Sequence, residues 1–253
     1  MKVAIAGGTG VVGRFAVEAA RERGHEVVVL SRSTGVDLRS GDGLAEALDG
    51  VEVVVDATNA ATMKEAEAAA MFTGMTGNLQ AVGAAQGVAR LVTLSIVGLE
   101  RVPLGYYRAK LAQEAAARAG PLPVTVVRAT QFHEFPAQVV QRSRVGPVAL
   151  VPHMRLQPVA ARAVGQVLAE VAEQPAGGGT VEVAGPEVLD LVTMARTLAR
   201  HRHRRLLVLP VPVPGAGKAM RTGGQLPQGG GARIVGPTFG EWLATDDAAY
   251  PPF

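Results

Sequence analysis

Short apolar segments alternate with longer helical segments through the first half of the chain. Five apolar segments have strand length and are rich in Val, Leu and Ile, as in strands buried on both faces of a sheet; they are residues 2–6, 25–30, 51–57, 91–95 and 124–128. The segments between them predict helices at residues 11–21, 41–48, 63–86 and 106–118, with a break or kink in the third near Gly74 and Gly77. This alternation predicts an α/β fold with a doubly wound parallel sheet, whose strands share one carboxyl edge.

The second half of the chain is less regular. Its pattern predicts helices at residues 131–142, 159–173 and 189–200, and short strands at 147–151, 180–184 and 206–209. Residues 215–231 are rich in glycine, which predicts a long loop that is either a lid over a substrate or disordered. Residues 238–243 predict a closing helical turn. We expect a small C-terminal α/β substrate lobe at residues 151–253, partly integrated with a first domain at residues 1–150.

Composition narrows the class of protein. Hydrophobic residues make up 48% and charged residues 19% of the 253 residues, which is typical of a globular chain. The net charge of +3 is small, and we interpret the one basic cluster, residues 201–205, as a solvated helix end. We therefore expect no nucleic-acid partner.

The absence of cysteine excludes disulfides, thiolate metal sites and thiol nucleophiles. The five histidines show no metal-ligand spacing, so we predict no metal site. No apolar run reaches the length of a membrane span, and the N-terminal residues do not resemble a secretion signal. We expect a cytoplasmic protein with no membrane partner.

Residues 7–13 place spaced glycines between the first predicted strand and the first predicted helix. They fit the G-x-G-x-x-G template at residues 8–13 and a G-x-x-G-x-x-G reading as well. Glycines allow a tight turn and a close approach to a pyrophosphate, whose charge is favoured by free N–H groups at a helix start. The sequence therefore predicts a nucleotide site in a Rossmann-type domain, formed by Gly7, Thr9, Gly10, Val11, Val12 and Gly13.

The second predicted strand ends in Ser31 and Arg32. An NAD site usually has a carboxylate here for the ribose hydroxyls, whereas a guanidinium suits the 2′-phosphate of NADP. We therefore predict NADP(H) as the cofactor, with Ser31 and Arg32 in its site. The alternative is that Arg32 is an ordinary surface arginine and that Asp37 takes the acidic role.

The third predicted strand ends in small and polar residues. The carboxyl edge of a parallel sheet is where a dinucleotide lies. We therefore assign Asp56, Ala57 and Thr58 to the cofactor site.

Tyr106 and Lys110 lie four residues apart, and hence on one face of a predicted helix. A nearby ammonium favours the phenolate and lowers the pKa of a tyrosine, which makes the phenol usable as a general acid or base. Ser95 ends the preceding strand and could donate a hydrogen bond to a substrate carbonyl. These three residues are the predicted catalytic group.

The chain resembles the short-chain dehydrogenase/reductase superfamily, in its atypical branch of NmrA-like NAD(P)-binding proteins. The resemblance rests on the glycine turn, on Arg32, and on residues 94–98, 106–110 and 127–134. It covers residues 1–135 strongly and the remainder only in general layout.

The resemblance implies the reduction mechanism of that superfamily. Tyr106 would protonate a carbonyl oxygen as hydride arrives, Lys110 would hold the nicotinamide ribose and lower the tyrosine pKa, and Ser95 would orient the carbonyl. Four further cofactor-binding residues would lie beside the nicotinamide: Ala129, Thr130, Gln131 and Phe132.

Three functions follow as hypotheses. The first is an NADPH-dependent oxidoreductase that reduces a carbonyl, quinone or enone of a small apolar molecule. The second is a non-catalytic NADP(H) sensor of the NmrA type, which alters its contacts with a protein partner. The third, an isomerase or epimerase that uses the cofactor transiently, has no sugar-nucleotide signature in its favour. The expected oligomeric state is a monomer or a homodimer.

Overall fold

The computed structural model describes residues 1–175 and 179–249. The first half contains β1 (Lys2–Ala6), α1 (Gly13–Glu22), β2 (Glu26–Leu30), α2 (Leu44–Ala47), β3 (Val53–Asp56), α3 (Glu65–Ala85), β4 (Arg90–Ile96), α4 (Gly105–Ala119) and β5 (Val124–Ala129). The second half contains α5 (Phe135–Ser143), β6 (Arg144–Val145), β7 (Val148–Pro152), β8 (Arg155–Leu156), α6 (Ala161–Glu173), β9 (Thr180–Ala184), β10 (Leu189–Asp190), α7 (Leu191–His201), β11 (Leu207–Val211), α8 (Gly217–Arg221), β12 (Arg233–Ile234) and α9 (Phe239–Leu243).

Seven strands form one parallel sheet in the order β12-β9-β5-β4-β3-β1-β2. The order in which strands are added to the sheet reverses between β1 and β3. Strand β2 lies on one side of β1, and β3 and the later strands lie on the other. Such a switch point leaves a crevice at the carboxyl ends of the two strands, which is where open α/β sheets bind ligands. The predicted doubly wound, Rossmann-type sheet is confirmed.

The chain forms two compact units. The first comprises residues 1–96, 104–128 and 162–181, and the second comprises residues 97–103, 129–161 and 182–253. Residues 176–178 of the first and 250–253 of the second lie outside the described residues. The first unit is thus assembled from three separate parts of the chain. The domain boundary at residue 150 stays a prediction.

Two predictions about glycine-rich segments are corrected by the structure. Helix α3 runs without interruption through Gly74 and Gly77, because both glycines are exposed while Phe72 and Leu79 anchor the helix in the core. Disorder at residues 215–231 is wrong as well, because α8 forms there and both Met220 and Gln225 are buried.

In the first unit, α6 packs against α1 with hardly any space between the backbones. A Cβ atom added at Gly165 of α6 would lie 2.6 Å from the carbonyl carbon of Phe15. The Arg162 guanidinium lies 4.4 Å from the centre of the Phe15 ring and forms an ion pair with Glu18. Glycine at position 165 is what allows these two helices to approach.

We expect Gly165→Ala to lower the free energy of unfolding by about 2 kcal/mol, because the helices must separate to admit the methyl group. Gly77→Ala is the matched control, since no described atom beyond its chain neighbours and its own helix backbone lies within 4 Å of the added Cβ. That control should gain roughly 0.5–1 kcal/mol from helix propensity. Urea unfolding of both variants measures the difference, and equal effects would contradict the close α1–α6 contact.

Candidate functional site

The glycine turn after β1 is held by contacts that only glycine permits. Gly7 has φ of +73°, and the amide of Gly10 donates to its carbonyl oxygen over 2.9 Å. A Cβ at Gly13 would lie 2.1 Å from that same oxygen, and one at Gly7 would lie 2.7 Å from the carbonyl oxygen of Ala57. The first turn of α1 therefore packs directly against the backbone that follows the end of β1.

The N-terminus of α1 is available to an anion. Val12 is its N-cap, no side chain of the described residues caps it, and its first turn holds no acidic residue. Thr9 and Gly10 are exposed, and Val11 is partly exposed. The positive end of a helix with free N–H groups suits a pyrophosphate. The turn thus fits the phosphates of a dinucleotide.

Ser31 and Arg32 follow β2. The Ser31 hydroxyl lies 2.8 Å from that of Ser33, within a single 3₁₀ turn that spans Arg32–Thr34. Arg32 is exposed, and none of the carboxylates in the described part of the chain forms an ion pair with it. Asp37 accepts a hydrogen bond from the backbone amide of Arg39 over 2.8 Å, so its carboxylate is engaged in a local turn.

The end of β3 is held by a buried carboxylate. One oxygen of Asp56 accepts hydrogen bonds from the amide and the hydroxyl of Thr58, over 3.0 and 2.6 Å. The other accepts from the Thr76 hydroxyl and the Gln113 amide, over 3.1 and 2.9 Å. The amide of Ala57 donates to the carbonyl oxygen of Ala6 at the end of β1. This loop therefore lies beside the glycine turn.

Tyr106 begins α4 and reaches the same loop. Its hydroxyl donates to Asn59 Oδ1 over 2.5 Å, and its ring packs edge-on against Phe72, with 5.8 Å between ring centres. The tyrosine is partly exposed, whereas Asn59 is exposed. A phenol is thus held within the first unit by a residue of the loop that adjoins the glycine turn.

Lys110 lies one turn further along the same face of α4 and is buried. Its ammonium donates to the carbonyl oxygen of Leu94 over 2.8 Å and to Gln113 Oε1 over 2.5 Å, and it lies 4.7 Å from the centre of the Phe72 ring. Burial lowers the pKa of Lys110 to about 8, against the attraction of Asp56 and Glu114. The lysine therefore directs its hydrogen bonds into the protein interior.

Ser95 is buried near the end of β4. Burial raises the pKa of Glu114, but hydrogen bonds from Arg128 and Arg118 outweigh it and hold that pKa below its ordinary value. The Ser95 hydroxyl has no hydrogen-bond partner among the described residues. Its role towards a substrate stays a prediction.

Four predicted cofactor residues belong to the second unit. Ala129, Thr130 and Gln131 are buried, and the Thr130 hydroxyl donates to the carbonyl oxygen of Gln157 over 2.6 Å. Phe132 pairs with Val159 through an isolated parallel bridge. Their contact with a cofactor stays a prediction.

The sequence reasoning missed three residues that surround the predicted group. Gln113 could have been found, because it continues the spacing of Tyr106 and Lys110 at i+7 on the same helical face. Thr76 and Phe72 gave no signal, because they come from α3 and only the packing of α3 against α4 brings them to the site.

The described residues contain neither a metal-ligating cluster nor a membrane-spanning helix. Within residues 1–175 and 179–249, no group of three or more His, Asp or Glu could hold a metal ion. No helix in the described part of the chain is long and apolar enough to cross a bilayer.

The family model of the NAD dependent epimerase/dehydratase family matches residues 3–97. No curated protein sequence matches the chain.

Several solved structures share the fold. A short-chain dehydrogenase/reductase superfamily protein from Agrobacterium tumefaciens with bound NAD is 18% identical, with a TM-score of 0.68 over 96% of this chain and 95% of that one. UDP-N-acetylglucosamine 4-epimerase from Bacillus cereus is 21% identical, with a TM-score of 0.64 over 85% and 87%. The dTDP-4-dehydrorhamnose reductase from Bacillus anthracis in complex with NADP is 13% identical, with a TM-score of 0.65 over 83% and 84%.

The buried lysine predicts a pH dependence of stability. In the unfolded chain the pKa of Lys110 returns to the ordinary value of 10.5, whereas in the folded chain it is about 8. Between these values the unfolded chain binds more protons, so the contribution of Lys110 to the free energy of unfolding rises with pH, by on the order of 1 kcal/mol per pH unit. Lys110→Met should remove this contribution. Urea unfolding of both proteins between pH 8 and 10.5 measures it, and equal slopes would contradict the lowered pKa of Lys110.

Proposed function

We propose that the chain is an atypical short-chain dehydrogenase/reductase that acts as an NADPH-dependent reductase. The family match over residues 3–97 and the fold shared with a structure of that superfamily support this proposal. The observation that carries this proposal is the Tyr106 phenol, held by Asn59 in the loop that adjoins the glycine turn. A proton donor beside a dinucleotide site is what reduction of a carbonyl requires.

The preference for NADPH over NADH rests on Arg32. The guanidinium is exposed at the end of β2, without a carboxylate partner among the described residues, so it is available to a 2′-phosphate. The competing acid, Asp37, is committed to the backbone of its own turn. Both observations favour a phosphorylated ribose at this position.

NADPH supplies a hydride from its nicotinamide ring when bound. Tyr106 donates its phenolic proton to the substrate oxygen, which leaves a hydroxyl group on the product and a phenolate that solvent reprotonates. The buried positive charge of Lys110, one helical turn away, favours that phenolate. Ser95 and the residues 129–132 are assigned to orientation of the substrate and nicotinamide, as the family resemblance implies.

The substrate we propose is a carbonyl, quinone or enone of a small apolar molecule. The predicted substrate lobe, residues 151–253, is rich in Val, Leu, Ala and Pro, and such side chains suit an apolar pocket.

Two other functions have observations in their favour. A non-catalytic NADP(H) sensor is favoured by the inward hydrogen bonds of Lys110, since these leave the ammonium bound to protein groups. An epimerase that uses the cofactor transiently is favoured by the family match over residues 3–97. Incubation with NADPH and a panel of ketones and quinones, and separately with NAD and UDP-glucose, distinguishes all three functions.

The role of Arg32 is tested by cofactor selectivity. Arg32→Ala should weaken NADPH binding by ~1–3 kcal/mol and leave NADH binding unchanged, because only the 2′-phosphate contact is lost. Fluorescence titration with both nucleotides measures this. Arg39→Ala removes another exposed arginine nearby and serves as the control. Equal losses of affinity for NADPH and NADH would contradict the assignment of Arg32 to the 2′-phosphate.

The role of Tyr106 is tested by separating chemistry from binding. Tyr106→Phe should lower kcat by 10²–10⁴-fold, roughly the contribution of a general acid, with little change in the NADPH dissociation constant. Tyr107→Phe removes the hydroxyl of the neighbouring, buried tyrosine as the control. Steady-state kinetics on an accepted quinone or ketone gives the comparison, and full activity of Tyr106→Phe would eliminate it as the proton donor.

A further inference from the structure

We propose that a buried polar chain, Lys110–Gln113–Asp56, positions the loop of residues 56–59 and with it the Asn59 that holds Tyr106. In this assignment Lys110, Gln113 and Asp56 are positioning residues that act through the loop. The order of the loop is independent of any activity. The claim that this ordered loop helps Tyr106 to donate a proton to the substrate rests on the proposed function.

The central member of the buried polar chain is the amide of Gln113. Its oxygen accepts from the Lys110 ammonium over 2.5 Å, and its nitrogen donates to Asp56 Oδ2 over 2.9 Å. The lysine can only donate and the carboxylate can only accept, so the amide has one orientation that satisfies both. Gln113 therefore joins a cation to an anion that do not meet directly, and reversing the amide would break both bonds.

Asp56 transfers this constraint to the loop. Two of its four hydrogen bonds come from the interior, from Gln113 and Thr76, and the other two come from Thr58. Because both carboxylate oxygens accept hydrogen bonds, rotation of the Asp56 side chain would break bonds to the interior and bonds to Thr58. The position of Thr58 is thus coupled to the interior of the α3–α4 pair.

Helix α4 forms hydrogen bonds with the loop of residues 56–59 at two points. Tyr106 binds Asn59 at the exposed end, and Gln113 binds Asp56 two turns further along the same helical face. The Ala57 amide, between these points, is bonded to the end of β1. The three contacts fix the loop relative to α4 and to the glycine turn together.

The charges in the buried polar chain are coupled. Asp56, Gln113 and Lys110 are all buried, with exposed fractions of 0%, 0% and 4%. A buried charge is strongly unfavourable without a compensating charge and hydrogen bonds. Loss of either Lys110 or Asp56 removes a compensating charge from the other, although Glu114 still attracts Lys110, whereas loss of both removes the imbalance between them.

The test compares Gln113→Met with Gln80→Met in the full chain. Gln80 is a matched control, because it is a buried glutamine of the same helix pair but bonds to the backbone of Ala117 and Leu122, away from the loop. Hydrogen exchange of peptides that cover residues 56–62 should accelerate at least tenfold in Gln113→Met. It should stay near the wild-type rate in Gln80→Met, even if thermal stability falls in both.

NADPH titration is the second readout. The affinity of Gln113→Met should fall at least fivefold while that of Gln80→Met is retained. Equal exchange of the loop in the two variants would overturn the proposal and reduce Gln113 to a packing role. If loop exchange accelerates as expected but wild-type protein binds no NADPH, the positioning inference is supported and the proposed function fails.

A charge-neutral pair of substitutions keeps the proposal testable if Gln113→Met does not fold. Lys110→Met and Asp56→Asn should each lower the melting temperature, and the double variant should recover part of that loss. A double variant less stable than both single variants would show that the two charges are not coupled through Gln113, and would overturn the proposal.

Discussion

The first unit depends on the close approach of two backbones at the glycine turn. Any side chain at position 13 would overlap the carbonyl oxygen of Gly7, and one at position 7 would overlap that of Ala57. These two contacts set the start of α1 and the end of β3 against the end of β1. Because the strand order reverses between β1 and β3, the turn stands at the crevice of the sheet with an uncapped helix N-terminus beside it.

The interface between α3 and α4 contains buried polar side chains, whereas helix interfaces are usually apolar. Lys110, Gln113, Asp56 and Thr76 are all buried, and their bonds run from the middle of α4 to the end of β3. Such a network gives less stability than hydrophobic packing of equal volume but specifies one arrangement. The candidate site is therefore supported by hydrogen bonds, which hold their donor and acceptor groups in fixed directions.

The sequence was sufficient for six of the seven strands of the sheet, because their apolar segments are local signals. The two-residue strand β12 gave no such signal. The sequence was also sufficient to place Tyr106 and Lys110 on one helical face. It could not show where the ammonium of Lys110 points, since its partners Leu94 and Phe72 are 16 and 38 residues away and are chosen by tertiary packing. The helix break near Gly74 was wrong for a related reason, since core anchoring by Phe72 and Leu79 outweighs local propensity.

The three-part assembly of the first unit has a consequence for biosynthesis. Helix α6, which covers Phe15 of α1 and pairs its Arg162 with Glu18, is made some 140 residues after the helix it covers. A nascent chain that has formed β1 through β5 still exposes this face of α1. The unit can therefore close only after residue 173 has left the ribosome, and a fragment that stops at residue 150 would retain the glycine turn but expose an apolar surface to aggregation.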